Sequence, residues 1–184
     1  AEKRSPNMDV YHVPNAMFRG WTRVYIDHSC NGIQYMGDYV SGSYMFGSIG
    51  PDTMQEFLLG CDFDYFMKKT KPNDYKVFDD KGTLKSCRTY LLEERLQHSI
   101  NKCHARKIYN GLLKLERHLT RRDSATEMAA EIFNIPNITE LYDYEGDIHF
   151  RYKPCPICQM FWNGPWEALC DLWRTELENK GQAA

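Results

Sequence analysis

The chain has 184 residues, of which 42% are hydrophobic and 14% aromatic, and a formal charge of −2. That composition excludes a disordered or low-complexity chain and predicts one globular domain with a real core. The near-neutral charge predicts no overall attraction to nucleic acid, and the short apolar runs fall far below the ~20 residues needed to span a bilayer.

Residues 1–16 carry Pro6 and Pro14 and read as an extended arm. The start at Ala1-Glu2-Lys3-Arg4 suits a mature protein after signal-peptide removal, or a trimmed chain. Residues 17–87 read as mainly β. Trp21, Arg23, Tyr25 and Asp27 alternate with Thr22, Val24 and Ile26, and Asn31-Gly32 is a hairpin signal. Ile33, Tyr35, Tyr39, Val40, Tyr44 and Phe46 continue the β-rich stretch. Gly50-Pro51-Asp52 opens a short helix with Met54, Phe57, Leu58 and Cys61 at helical spacing. Tyr75–Phe78 predicts a strand, and Asp80-Lys81-Gly82 a turn leading into Thr83–Cys87.

Residues 88–135 read as helical. Leu92, Leu96, Ile100 and Cys103, then Ile108, Leu112, Leu115 and Leu119, fall on two stripes with a phase slip between them. Ser124-Ala125-Thr126-Glu127 is a capping-box pattern for a helix that ends near Pro136. Residues 136–184 read as loop and strand, with a turn at Gly146, plus a C-terminal helix. Trp166, Leu169, Trp173 and Leu177 share one face of that helix, with Pro165 in its first turn and Gly181 at its end. The predicted class is α+β: an N-terminal antiparallel, curved β-sheet packed against a helical C-terminal half.

Seven cysteines, Cys30, Cys61, Cys87, Cys103, Cys155, Cys158 and Cys170, suggest disulfides that brace a core. The odd number leaves at least one thiol free. Cys61 and Cys87 flank a segment whose strand signal brings its ends together, so they are expected to pair. Asn137-Ile138-Thr139 is a glycosylation sequon. Cys155-Pro156-Ile157-Cys158 has the spacing of half a zinc site, which Cys170 and His149 would complete; disulfides are preferred to zinc, and no cofactor is expected. A redox role for this pair needs the first thiol at a helix N-terminus, and the helix start read at Pro165 argues against it.

No catalytic motif is visible, so an enzyme is less expected than a binding protein. The histidines (His12, His28, His98, His104, His118, His149) have no nucleophile placed beside them. Asp27-His28-Ser29-Cys30 sets four reactive types in a row, but adjacent strand residues point to opposite faces. Residues 88–122 carry nine Lys or Arg against three Glu. Opposite the apolar stripe this makes a basic face for weak polyanion contact, which Glu140, Asp143, Glu145 and Asp147 are placed to mask.

Cys61, Asp64-Tyr65-Phe66, Val77-Phe78-Asp79-Asp80 and Lys85-Ser86-Cys87, with Arg23-Val24-Tyr25-Ile26-Asp27 before them, resemble ependymin-related proteins over about residues 20–90. The resemblance implies a secreted glycoprotein with a curved sheet over an apolar pocket. The expectation is therefore a secreted, extracellular, disulfide-braced, non-enzymatic binding protein for an apolar ligand or a protein partner. The alternatives are an intracellular zinc-braced interaction module and a hydrolase with a dispersed active site.

Overall fold

The computed structural model describes residues 7–15, 20–38, 40–50, 52–117, 124–143 and 145–182. In chain order the strands and helices are β1 (Met8–Asn15), β2 (Gly20–Asp27), β3 (Gly32–Gly37), β4 (Ser41–Met45), α1 (Met54–Leu59), α2 (Phe63–Thr70) and β5 (Lys76–Phe78). They continue with α3 (Asp80–Leu96), α4 (Lys102–Arg117), α5 (Ala125–Phe133), β6 (Tyr152–Pro154), α6 (Pro156–Phe161) and α7 (Glu167–Gln182). The class is α+β, with a four-stranded antiparallel sheet followed by a mostly helical half. The chain divides into two compact units. One runs up to Tyr75 and resumes at Pro154; the other is Lys76–Lys153.

In the first unit the sheet order is β1-β2-β3-β4. Thr22, Val24 and Ile26 are buried while Trp21 and Arg23 are exposed, as the two-residue period of a strand requires. Much of the segment read as an arm is edge strand β1, which pairs Tyr11 with Val24 and Val13 with Thr22. Pro14 is tolerated there because an edge strand has amides that no neighbour needs. Asn31, left-handed at φ 50, ends the turn between β2 and β3. The strands stop at Met45. Thr53 and Glu56 form a capping box on α1, and the Asp62 side chain accepts from Tyr65 N at the start of α2.

Helices and sheet enclose a core rich in rings. Tyr35 stacks on Phe161 at 4.6 Å and on Phe66 at 5.7 Å, and its hydroxyl bonds to Thr70 Oγ1 at 2.9 Å. Trp173 is fully buried and meets Tyr11 of β1 edge-on at 5.6 Å. Trp166, Leu169 and Trp173 form the buried stripe, and Leu177 is half-buried. The C-terminal helical segment starts at Pro156, well before Pro165. Pro165 has no amide to donate, and a π turn over Trp162–Trp166 carries it inside the helical run.

The second unit is helical around an aliphatic core that includes Leu84, Leu91, Ile108, Leu112, Ile132 and Ile135. Asp80-Lys81-Gly82, read as a turn, is the first turn of α3, so Thr83–Cys87 is helix. The buried stripe of α3 is Thr83, Leu84, Cys87 and Leu91. Leu92 and Leu96, placed on the apolar stripe from sequence, are 56% and 79% exposed. Leu91 and Leu92 are adjacent, so two stripes were open to α3, and packing chose the one through Leu91. The helical stretch is broken after Leu96, where His98 takes a left-handed φ of 62. Ser124 caps α5 through Thr126 N, and Asn134 closes it before Pro136. The turn near Gly146 is a short 3-10 segment, Glu145–Asp147. Tyr39, His118, Leu119, Arg121 and Arg122 lie outside the described residues.

Candidate functional site

Helix α4 is amphipathic. Asn101 precedes it and accepts from His104 N through its Oδ1 at 2.9 Å, satisfying one of the first free amides. Ala105, Ile108 and Leu112 are buried in the aliphatic core. A Cβ on Gly111 would run into Ile135 Cγ2, so glycine lets Ile135 lie directly on the helix. The opposite face carries Lys102, Arg106, Lys107, Lys114 and Arg117, all exposed. At 100° per residue they fall in one sector roughly 140° wide over a length of about 22 Å. Cys103, Tyr109 and Asn110 are exposed among them.

The carboxylate of α4, Glu116, is turned away from this face. It accepts both Nη1 (2.5 Å) and Nη2 (3.3 Å) of Arg88 on α3, a forked pair that is partly buried. Glu140, expected to mask the basic face, pairs instead with His104 at 2.5 Å. Among the described residues, none of the five cations is in an ion pair. The sequence had signalled a basic face, but as one helix over residues 88–122. The capture of Arg88 and Glu116 by each other is a contact between helices and left no mark in either segment.

The cysteines are all free thiols, and the expected Cys61–Cys87 disulfide is not formed. The strand signal that supported it fails because the segment between them is largely helical. Cys30 and Cys103 are exposed, Cys61 and Cys155 half-buried, and Cys87, Cys158 and Cys170 buried. Burial pushes the Cys61, Cys158 and Cys170 thiols up to about 11, with Asp62, Cys155 and Glu167 respectively adding to the effect. Burial also raises the Cys87 thiol. Cys155 is the N-cap of α6 and Pro156 its first residue, so the helix begins at the pair and not after it. Among the described residues no three His, Cys, Asp or Glu side chains gather as a metal site.

Asp27, His28, Ser29 and Cys30 split between two networks. Asp27 Oδ1 accepts from Ser29 Oγ at 2.5 Å, and His28 Nε2 meets Asp9 Oδ2 at 2.9 Å. His149 lines a groove of about 710 Å³ over α3 with Lys85, Ser86, Thr89 and Arg151, but Asp79 and Glu93 mix carboxylates into it. Aromatic side chains of the β-rich stretch pack on one another, as Phe46 does on Tyr44 and Phe57.

The model of a phage protein family, described only as a phage family, matches residues 6–168. The chain belongs to this family. No curated protein and no solved structure matches it. Membership of a phage family overturns the resemblance to ependymin-related proteins, which rested on loose local patterns around two cysteines. With the free thiols, it also overturns the secreted, extracellular, disulfide-braced glycoprotein, its removed signal peptide and its apolar-ligand role. Asn137 of the sequon is left-handed at φ 67, with Ile138 buried beside it. No helix among the described residues is long and apolar enough to cross a membrane.

Proposed function

We propose that this phage-family protein binds the phosphate backbone of nucleic acid through the basic face of α4. The observation that carries this reading is the grouping of Lys102, Arg106, Lys107, Lys114 and Arg117 on one face with no carboxylate among them. Each cation set against a phosphate releases a condensed counterion, so such a face gains affinity without reading sequence. The overall charge of −2 does not oppose this. At physiological salt a charge more than ~8 Å away is largely screened, so the local face governs contact. Its width favours a duplex: a helix ~10–12 Å across enters a major groove ~12 Å wide. Lys102 and Lys107, at opposite margins of the sector, then meet opposite walls.

Fluorescence anisotropy of a labelled DNA duplex, titrated at several salt concentrations, tests the proposal. The expected result is a log–log salt slope that becomes shallower by roughly 0.9 for each phosphate that an Arg106→Ala, Lys107→Ala, Lys114→Ala variant no longer neutralises. All three side chains are exposed, so circular dichroism should report an unchanged fold. Equal affinity and slope for the two proteins would overturn the proposal, as would binding to anionic lipid vesicles with none to the duplex.

A further inference from the structure

Cys155 and Cys158 share the first turn of a helix. Cys155 holds the N-cap with an extended backbone (φ −60, ψ 127), Pro156 sets the first helical residue, and Cys158 follows one turn on. Residues so spaced have Cα atoms about 5 Å apart, within the 4.4–6.8 Å span of a disulfide. We propose that Cys155 and Cys158 are a redox-active dithiol that exchanges with small-molecule disulfides and closes reversibly across this turn.

The pair is held from both ends. Cys155 N donates to Tyr75 O at 2.8 Å, and the Cys158 thiol points to Asp74 O at 4.0 Å. Cys155 lies near enough to help raise the Cys158 thiol. Their exposure differs in the way exchange requires: Cys155 is half-buried and reachable, and Cys158 is buried as part of the ring-rich core. In the first step the Cys155 thiolate attacks one sulfur of a disulfide, whose S–S bond breaks, and the departing thiolate takes up the Cys155 proton. In the second, Cys158 attacks the Cys155 sulfur of the mixed disulfide and expels the other thiolate, which takes up the Cys158 proton. The two protein thiols are oxidised by two electrons and the small disulfide is reduced to two thiols. A disulfide from solution reaches the half-buried Cys155 before the buried Cys158, which sets the order of attack, and burial with Cys155 beside it raises the Cys158 thiol.

The test uses the Cys30→Ser, Cys103→Ser protein, which lacks the two exposed thiols, with glutathione disulfide as probe. Non-reducing peptide mapping should find residues 155 and 158 in one disulfide, with the peptide lighter by two hydrogens and the change undone by excess reduced glutathione. Adding Cys158→Ser should trap glutathione on Cys155 as a stable adduct. Adding Cys155→Ser should leave Cys158 unmodified until denaturant is added. A 155–158 peptide that stays in the dithiol form under excess glutathione disulfide, in a protein with native circular dichroism, would overturn the proposal. So would preferential modification of Cys61 or Cys170.

Discussion

The two units solve the same packing problem with different side chains. The sheet-bearing unit fills its interior with rings: Tyr35, Phe46, Phe66, Phe161, Trp166 and Trp173 are all buried there. The Lys76–Lys153 unit buries leucines and isoleucines, and among its described residues Tyr142 is the one buried ring. A sheet offers one broad face that a few large side chains cover, and rings meet in oriented, edge-on or offset pairs. Helices instead interlock through ridges of branched aliphatics, which leaves their opposite faces free for charge. The two proposed sites divide along the same line. The basic face belongs to the aliphatic unit, while the Cys155–Cys158 pair sits at the margin of the ring-rich one.

The most severe way to break the comparison is Trp173→Ala, which removes a ring packed on Trp166 at 5.7 Å and on Tyr11. It should cost about 3–5 kcal/mol, measured by urea unfolding. Retention of full stability would move α7 from core to surface. Leu112→Ala is the counterpart in the aliphatic unit, where Leu112 is fully buried. A loss of about 2–5 kcal/mol is expected, with amide hydrogen exchange quickened first in α3, α4 and α5.

Alkaline unfolding tests the packing of the ring-rich unit. The Cys61, Cys158 and Cys170 thiols stand at about 11 against an ordinary 9.0, and burial pushes the Tyr35 hydroxyl to about 12 from 10.0. Raised values mean that the fold holds these protons more tightly than the unfolded chain does. Their stabilisation is complete below about pH 9 and declines as pH rises through 11 to 12. Tyr35→Phe should cost roughly 0.5–1.5 kcal/mol near neutrality, where the Thr70 bond is lost, and less above pH 12. A cost that grows with pH would contradict the assignment. The smallest effect is expected at Leu96→Lys, within about 0.5 kcal/mol, because that side chain is 79% exposed. A larger loss would restore the stripe through Leu92 and Leu96.

Much of the secondary structure was legible. The alternation of β2, the cap at Ser124 and the Trp166–Trp173 stripe are local patterns, and each persists in the fold. The start of α3 was not legible, because Asp80-Lys81-Gly82 has the composition of a turn and becomes helical only as part of a longer run. Its N-cap, Asp79, makes no side-chain capping bond, so the usual sign of a helix start is missing. The cysteines misled for a related reason. Their number suggested oxidation, yet a thiol packed in a core behaves as a small apolar side chain and needs no partner.

The sequence by itself determined the α+β class, the strand alternation and the presence of a basic helical surface, because period and charge are properties of neighbouring residues. Only the tertiary structure decided which stripe of α3 is buried, that Arg88 takes Glu116 away from the basic face, and that the helix starts at Cys155. Each of these depends on residues far apart in the chain competing for one partner or one place in a core. Burial and pairing energies settle that competition after the local preferences have been met.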